Sequence, residues 1–152
     1  ENPFFKNLPF NLAKGEVIEF KHDSLSLDRI INKNGFVLPT KNNSFKVGAT
    51  YEWKELDVAI TDKGKATLLE KLKFLKDETV EVIDHIAGIR PTVKDRRPLF
   101  GKHEKENAYI FNGLGTKGAL MAPYYAKQMS DFIVEGTDLD SEVDIKRFSK
   151  VQ

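Results

Sequence analysis

A run of glycines near the carboxyl end could place backbone N–H groups against an electron-rich ligand. Gly113, Gly115 and Gly118 follow the short apolar run Ala108–Phe111 and precede the helical pattern of Ala119–Val134. Glycine lets a planar or phosphorylated ligand approach the backbone closely, and the free N–H groups of a helix start favour an anion or an electron-rich oxygen. A tight strand-to-helix turn that needs glycine for packing explains the spacing equally well, so the loop alone leaves both interpretations open.

Arg90 is a second candidate for binding chemistry, because it stands at the end of a predicted strand. The run Thr79–Gly88 has the apolar content of a strand, and Pro91 after Arg90 stops regular strand pairing. A guanidinium held on a rigid element is suited to bind a carboxylate through two parallel hydrogen bonds. Taken alone, an ion pair with one of the 23 acidic residues is the favoured interpretation of this arginine.

The composition excludes several other kinds of chemistry within this chain. None of the 152 residues is a cysteine, which excludes disulfides, thiolate zinc sites, iron–sulfur clusters and a cysteine nucleophile. The three histidines, His22, His85 and His103, are far apart and lack the spacing of a metal-binding pair. We therefore expect no metal site, and the sequence assigns no catalytic residue.

The charge balance argues against nucleic acid and membrane as partners. The 24 basic and 23 acidic residues give a formal net charge of +1, which provides no bulk attraction to a polyanion. The most apolar stretch, 118–134, is interrupted by Pro123, Lys127 and Asp131, whereas a membrane-spanning helix needs about 20 largely apolar residues. The first residues also lack the pattern of a signal peptide. We therefore expect a cytoplasmic location.

The predicted elements form one domain of the α+β class, with a mixed, largely antiparallel sheet of about six strands and two main helices. Short apolar runs separated by polar turns such as Asn32–Gly35 are typical of antiparallel strands. The predicted strands are Gly15–Phe20, Leu27–Ile31, Phe36–Leu38, Phe45–Thr50, Thr79–Gly88 and Ala108–Phe111. The predicted helices are Thr61–Lys76 and Lys117–Val134, with one or two further helical turns in Glu142–Phe148.

Four blocks of the sequence occur in an order that matches a known family. They are 13–17 (AKGEV), 36–50 (FVLP, then KVGAT), 88–101 (GIRP, then PLFG) and 107–123 (NAYIFNGLGTKGALMAP). Together they resemble the carboxy-terminal part of the D-amino-acid oxidase/glycine oxidase superfamily, whose members are FAD-dependent amine oxidoreductases. The resemblance runs from about Leu12 to Val134 and covers most of the chain.

The resemblance implies that this chain is the substrate-domain part of a larger flavoenzyme. Residues 12–90 then form the substrate-binding sheet and helix, 91–135 the flavin-edge loop and carboxy-terminal helix, and 136–152 a tail, while the amino-terminal Rossmann part is absent. The full-length protein is expected to bind FAD and to oxidise the C–N bond of an amino acid or related amine. The chain alone is expected to bind no FAD, to be inactive, and to self-associate through the apolar surface that the missing FAD-binding domain leaves exposed.

The resemblance also implies a set of site residues. Arg90 takes the position that holds the substrate carboxylate in glycine oxidase-like members. The flavin-edge loop takes the position where backbone N–H groups and a helix start face the pyrimidine edge of the flavin. Its residues are Gly113, Leu114, Gly115, Thr116, Lys117 and Gly118. The loop has the G-x-G-x-x-G spacing, but no acidic residue on a following strand accompanies it, which excludes a dinucleotide-binding fold here.

The loop also departs from its nearest family pattern, and two alternatives follow. Glycine oxidase-like members carry a histidine and an arginine in this region, whereas Gly-x-Gly-Thr-Lys-Gly is closer to the oxidase domain of the bifunctional tRNA wobble-uridine modification enzyme. The substrate is therefore a small amino acid or an aminomethyl group on a modified nucleoside. A cofactor-free binding module that kept the sheet and lost the catalytic half is the alternative from another functional class.

Overall fold

The computed structural model describes residues 2–23, 25–75 and 80–149. Two compact units can be distinguished within the chain. The sheet unit comprises residues 13–89, and the helix unit joins residues 1–12 with residues 90–152. Each unit is described separately below.

The described residues of the sheet unit form a five-stranded sheet and one helix. Its elements are β1 (Ala13–Lys21), β2 (Ile31–Asn32), β3 (Phe36–Pro39), β4 (Phe45–Gly48), α1 (Asp62–Glu70) and β5 (Glu81–Arg90), whose last residue is the first of the helix unit. The strand order is β2-β3-β4-β1-β5, so β5 lies at the edge of the sheet. The pairs β2–β3, β3–β4 and β4–β1 are all antiparallel.

The core of the sheet unit lies between the sheet and α1. Ile18 and Phe20, two residues apart on β1, point to the same face because side chains alternate along a strand. They pair with Val47 and Phe45 of β4, and Leu68 of α1 is fully buried against this group. Apolar alternation on β1 therefore fixes which face of the sheet α1 covers.

Helix α1 begins where the sequence predicts and ends earlier. Thr61 is the N-cap, and its side-chain oxygen accepts a hydrogen bond of 2.9 Å from the backbone N–H of Gly64. The predicted end at Lys76 lies outside the described residues, but the α-helix already ends at Glu70. From Lys71 onward the backbone N–H groups bond three residues back, which tightens the chain into successive turns.

The helix unit contains a two-stranded hairpin and the longest helix. Its elements are β6 (Leu99–Lys102), β7 (Tyr109–Asn112), a 3₁₀ turn (Gly115–Lys117), α2 (Gly118–Val134) and a second 3₁₀ turn (Ile145–Phe148). Phe100 pairs with Phe111 across the hairpin, and their rings stack with centroids 4.4 Å apart. Phe100 is also packed against Met129 of α2, so the hairpin and α2 share one core.

The predicted α+β class, with a largely antiparallel sheet and two main helices, is confirmed. Within the described residues the strands number seven, against a prediction of about six, and they divide between two sheets. The predicted strand Leu27–Ile31 is wrong except at its end, because only Ile31 and Asn32 pair with β3. Strand β6 was not predicted, and Thr79, the predicted start of β5, lies outside the described residues.

The described part of the chain contains neither a membrane-spanning helix nor a metal-binding cluster. Over residues 2–23, 25–75 and 80–149, no helix combines the length and the apolar character needed to cross a bilayer. The same residues contain no group of three or more histidine, aspartate or glutamate side chains arranged to hold a metal ion.

Candidate functional site

Arg90 is the last residue of β5, and hydrogen bonds to Arg90 and to Asn11 restrain the backbone that follows it. The N–H of Thr92 donates a hydrogen bond of 3.0 Å to the carbonyl of Arg90. The N–H of Asn11 donates to the carbonyl of Thr92 at 2.7 Å, and the Thr92 hydroxyl donates back to the carbonyl of Asn11. The half-buried Arg90 side chain thus starts from a backbone that Pro91 and Thr92 restrain.

Gly113 is a packing glycine. Its φ is +74°, and a Cβ at this position would lie 2.7 Å from Cγ2 of Val93 and 3.1 Å from the backbone N of Leu99. Both neighbours are buried, and a backbone atom cannot move aside as a side-chain end can. The turn that starts the flavin-edge loop therefore needs glycine for the interior of the helix unit.

Gly115 is different, because its Cβ direction is open. Its φ is +57°, yet the nearest atom that a Cβ would meet is Cγ2 of Thr92, at 3.4 Å. That distance is an ordinary van der Waals contact. It also shows that the loop at Gly115 lies directly beside the segment that begins with Arg90.

The remaining loop residues lead into the start of α2. Leu114 packs against the core around Phe100, whereas Thr116 and Lys117 are exposed. Lys117 stands at the N-cap position of α2, and its side chain makes no capping hydrogen bond. The 3₁₀ turn Gly115–Lys117 leads directly into α2, so the chain enters the helix through backbone turns and without a cap from the Lys117 side chain.

All the predicted site residues belong to the helix unit. Arg90 and the loop from Gly113 to Gly118 belong to two segments that meet at Thr92 and Gly115. The arrangement combines the guanidinium of Arg90, the open turn at Gly115 and the start of α2. Such a combination can bind a carboxylate and, beside it, an electron-rich planar edge.

A buried polar cluster in the sheet unit was not found from the sequence. Glu16 is 4% exposed, and its carboxylate accepts two hydrogen bonds from Thr61, from the N–H at 3.0 Å and the hydroxyl at 2.8 Å. Nε2 of His85 lies 2.8 Å from Oε2 of Glu16, a close polar contact rather than an aligned hydrogen bond. A Cβ at Gly64 would lie 2.3 Å from this carboxylate. The sequence did carry one indication of this cluster: Glu16 is two residues before Ile18 on β1, so its side chain points to the same buried face.

A second polar contact stands close to this cluster. Nζ of Lys14 lies 2.5 Å from Oδ1 of Asp57, and the N–H of Ala59 donates to the same oxygen at 3.1 Å. The hydrogen bond with Asp57 raises the pKa of Lys14 above its ordinary 10.5. The same bond lowers the pKa of Asp57 below its ordinary 3.8.

The sequence profile of one family, described as FAD dependent oxidoreductase (DAO), matches residues 2–132. The chain belongs to this FAD-dependent oxidoreductase family. The chain is 29% identical to glycine oxidase of Bacillus subtilis (strain 168) over 143 residues, which cover 86% of the chain and 38% of that relative. It is 28% identical to D-amino acid dehydrogenase of Neisseria gonorrhoeae over 152 residues, covering 96% of the chain and 36% of that relative.

Two solved structures have a similar fold over most of this chain. Glycine oxidase from Bacillus cereus superposes with a TM-score of 0.73 at 23% identity, covering 89% of this chain and 38% of that one. L-proline dehydrogenase from P. horikoshii superposes with a TM-score of 0.77 at 20% identity, covering 95% and 41%. The chain thus spans less than half the length of these similar proteins. The resemblance to the D-amino-acid oxidase/glycine oxidase superfamily is confirmed.

Proposed function

We propose that this chain supplies the substrate-carboxylate site and the flavin-edge loop of an FAD-dependent oxidoreductase that acts on the C–N bond of an amino acid or related amine. The observation that carries the proposal is the meeting of two segments: Thr92, two residues after Arg90, is the nearest neighbour of the open Gly115. A carboxylate-binding group and an open glycine turn in one place suit a substrate that must lie against a planar cofactor.

The residues present fit the edge of a flavin. Gly115 leaves space in its Cβ direction, and α2 begins directly after the 3₁₀ turn that contains it, with the partial positive charge of a helix N-terminus. The residues that would hold this edge are Gly115, Thr116, Lys117 and Gly118. Gly113 is in addition needed for packing, because a Cβ there would overlap Val93 and Leu99. When bound, FAD supplies the two-electron oxidation of the substrate.

The chain's own residues then have separable roles. Arg90 binds the substrate carboxylate through two parallel hydrogen bonds and thereby fixes the position of the carbon beside the amine. The N–H groups at the start of α2 favour electron density at the cofactor edge, and the exposed charge of Lys117 acts in the same direction. These roles are binding, orientation and electrostatic stabilisation.

The names of the relatives support an amino acid as the substrate class. Glycine oxidase and D-amino acid dehydrogenase both act, by their names, on amino acids, and every amino acid offers a carboxylate to Arg90. We therefore favour an amino acid over a modified nucleoside. Because the chain covers 38% and 36% of these relatives, the catalytic activity is proposed for the complete flavoenzyme, and the chain alone is proposed to be inactive.

The test compares Arg90 variants in the complete flavoenzyme, with glycine, D-alanine and L-proline as probes. Arg90→Ala is expected to raise the KM of the preferred amino acid roughly ten- to a hundredfold, since a lost charge-assisted contact costs about 1.5–3 kcal/mol. Arg90→Lys should recover little, because one ammonium does not reproduce the two-pronged geometry. Bound FAD, measured by absorbance per protein, should stay unchanged. Full affinity in the alanine variant would make Arg90 a structural residue.

The flavin edge is tested by Gly115→Val in the same enzyme. The added side chain should lower FAD content, because it fills the open direction of the loop. Gly136→Val is the matched control: its φ is +71° and a Cβ there meets nothing within 4 Å, so it carries similar backbone strain away from the loop. An FAD content in Gly115→Val as high as in Gly136→Val would show that Gly115 does not face the flavin.

A further inference from the structure

Thr92 contacts three parts of the helix unit that the proposed function places in one site. Its backbone N–H donates a hydrogen bond of 3.0 Å to the carbonyl of Arg90, and its side-chain hydroxyl donates to the carbonyl of Asn11. Its methyl carbon, Cγ2, lies 3.4 Å from the position that a Cβ on Gly115 would occupy. Thr92 and these three residues all belong to the helix unit, so the contacts lie within one compact part of the chain.

The connection from Thr92 to Arg90 is short and stiff. A hydrogen bond from an N–H to the carbonyl two residues earlier closes a three-residue γ-turn, and Pro91 is the central residue of this turn. Proline holds φ at about −65°, close to the value of about −75° that an inverse γ-turn requires. A displacement of Thr92 therefore also displaces the backbone of Arg90.

The amino-terminal segment restrains the backbone on the other side of Thr92. The N–H of Asn11 donates a hydrogen bond of 2.7 Å to the carbonyl of Thr92, and Phe10 forms an antiparallel β-bridge with Val93. Val93 is 3% exposed, and Phe10 packs against the core cluster that contains it. Hydrogen bonding and burial thus fix the backbone of Thr92 and Val93 together.

The same two residues contact two glycines of the flavin-edge loop. Val93 lies against Gly113, and Thr92 lies beside Gly115. The hydroxyl and the methyl of a threonine share one Cβ, so a single χ1 angle sets the direction of both. Because the Thr92 hydroxyl is bonded to Asn11, its methyl is held toward Gly115.

We propose that Thr92 is a positioning residue, which sets the distance between the carboxylate-binding Arg90 and the flavin-edge loop. The inference rests on the proposed function of Arg90 and of the loop. Without the contacts of Thr92, Arg90 still binds the carboxylate, but the carbon beside the amine is misplaced relative to the flavin. A misplacement of about 1 Å costs a reaction about a hundredfold in rate. Thr92 therefore governs the rate of the chemical step and not the affinity for the substrate.

Thr92→Ala in the complete flavoenzyme tests this, with glycine, D-alanine and L-proline as probes under anaerobic conditions. The readouts are the stopped-flow rate of flavin bleaching at saturating amino acid, the affinity from its concentration dependence, and FAD per protein. Thr92→Ala should slow bleaching per bound FAD about five- to fiftyfold, while affinity and FAD content stay within about twofold of the parent. Arg90→Ala should instead weaken the affinity about ten- to a hundredfold.

Two conservative variants separate the hydroxyl of Thr92 from its methyl. Thr92→Val keeps a methyl beside Gly115 and loses the hydrogen bond to Asn11, whereas Thr92→Ser keeps the hydrogen bond and loses the methyl. Because one χ1 angle sets both groups, each variant should slow bleaching, and the two effects multiplied together should exceed the effect of Thr92→Ala. A parental rate in either variant would overturn the proposal, which requires both contacts.

Leu139→Ala is the control for general stability. It removes buried apolar volume from the helix unit at a position outside both segments, so it should lower the melting temperature and leave the bleaching rate within about twofold. Equal slowing in Leu139→Ala and Thr92→Ala would overturn the positioning role.

The remaining outcomes distinguish this inference from the proposed function. A parental bleaching rate in Thr92→Ala, or an affinity or FAD content that falls as far as the rate, would overturn the positioning role alone if Arg90→Ala still weakens binding. An unchanged affinity in Arg90→Ala would overturn both, because Arg90 would then not bind the substrate.

Discussion

The two glycines at the start of the flavin-edge loop should respond differently to the same substitution. Gly113→Ala places a Cβ 2.7 Å from Val93 and 3.1 Å from the backbone N of Leu99, whereas Gly115→Ala meets nothing closer than 3.4 Å. Both positions have positive φ, at +74° and +57°. The difference in stability between the two variants therefore measures packing, because both carry the cost of the left-handed conformation.

The size of each effect follows from these distances. A left-handed conformation costs a non-glycine residue about 1–2 kcal/mol. Forcing extra atoms into a packed interior costs about 1–3 kcal/mol more. Gly113→Ala should therefore lower the free energy of unfolding by about 2–5 kcal/mol, and Gly115→Ala by about 1–2 kcal/mol. Gly136→Ala, with φ +71° and an open Cβ direction, should match Gly115→Ala and isolates the backbone cost.

Urea denaturation of the 152-residue chain, followed by far-UV circular dichroism, measures these differences as shifts of the midpoint at constant slope. A change of slope would report an altered unfolded or native state instead. Should Gly113→Ala destabilise no more than Gly136→Ala, the packing explanation of Gly113 is refuted. Should Gly115→Ala destabilise as much as Gly113→Ala, the loop at Gly115 is not open.

Two further predictions concern the sheet unit. Replacing a glycine inside a helix with alanine usually stabilises the protein by up to about 1 kcal/mol. Gly64→Ala should instead destabilise it by about 1–2 kcal/mol, because the added Cβ displaces the hydrogen-bonded carboxylate of Glu16. Gly88→Ala is the control: its Cβ meets nothing within 4 Å, so its free energy of unfolding, measured by urea denaturation, should be close to that of the parent. Asp57→Asn should lower the melting temperature across pH 5–9. The difference from the parent should shrink as pH falls below 3.8, because the lowered pKa of Asp57 is crossed there and its carboxylate becomes protonated. The difference should also shrink as pH rises above 10.5, because Lys14 loses its proton as the pH passes its raised pKa. A difference that stays constant through both limits would show that the pair does not act through charge.

Much of the sheet unit is predictable from local patterns. The apolar residues of β1 and β4, the Asn34-Gly35 turn and the Thr61 cap each specify their element through neighbours in sequence, and the structure contains all of them. Asn34 and Gly35 both have positive φ, as an Asn-Gly turn requires. Short-range chemistry is sufficient where a residue's partner is close in the chain.

Strand β6 could not be predicted in this way. It follows Pro98 and contains Gly101 with φ +149°, and both residue types usually indicate a turn. Its stability comes from pairing with β7 and from the buried ring of Phe100, which are long-range interactions. The tertiary context overrides the local signal at this position.

The candidate site was predictable only in part for the same reason. The motif resemblance selected Arg90 and the flavin-edge loop, but spacing alone did not show that Thr92 meets Gly115 or that Gly113 and Gly115 differ. The contact of Glu16 with His85 joins residues far apart in sequence and carries no motif. Which residues share a site depends on how β5 and the loop are folded, and no single stretch of sequence contains that information.

Because residue 64 has no Cβ, the effect of substitutions at the start of α1 depends on the order in which they occur. While residue 16 is a glutamate, an alanine at residue 64 overlaps its carboxylate, so that change arises at a cost. A prior Glu16→Ser change would shorten the side chain, free the volume and make alanine at residue 64 neutral or favourable. The two positions are therefore epistatic. Evolution or protein engineering can introduce alanine at residue 64 more readily if residue 16 changes first.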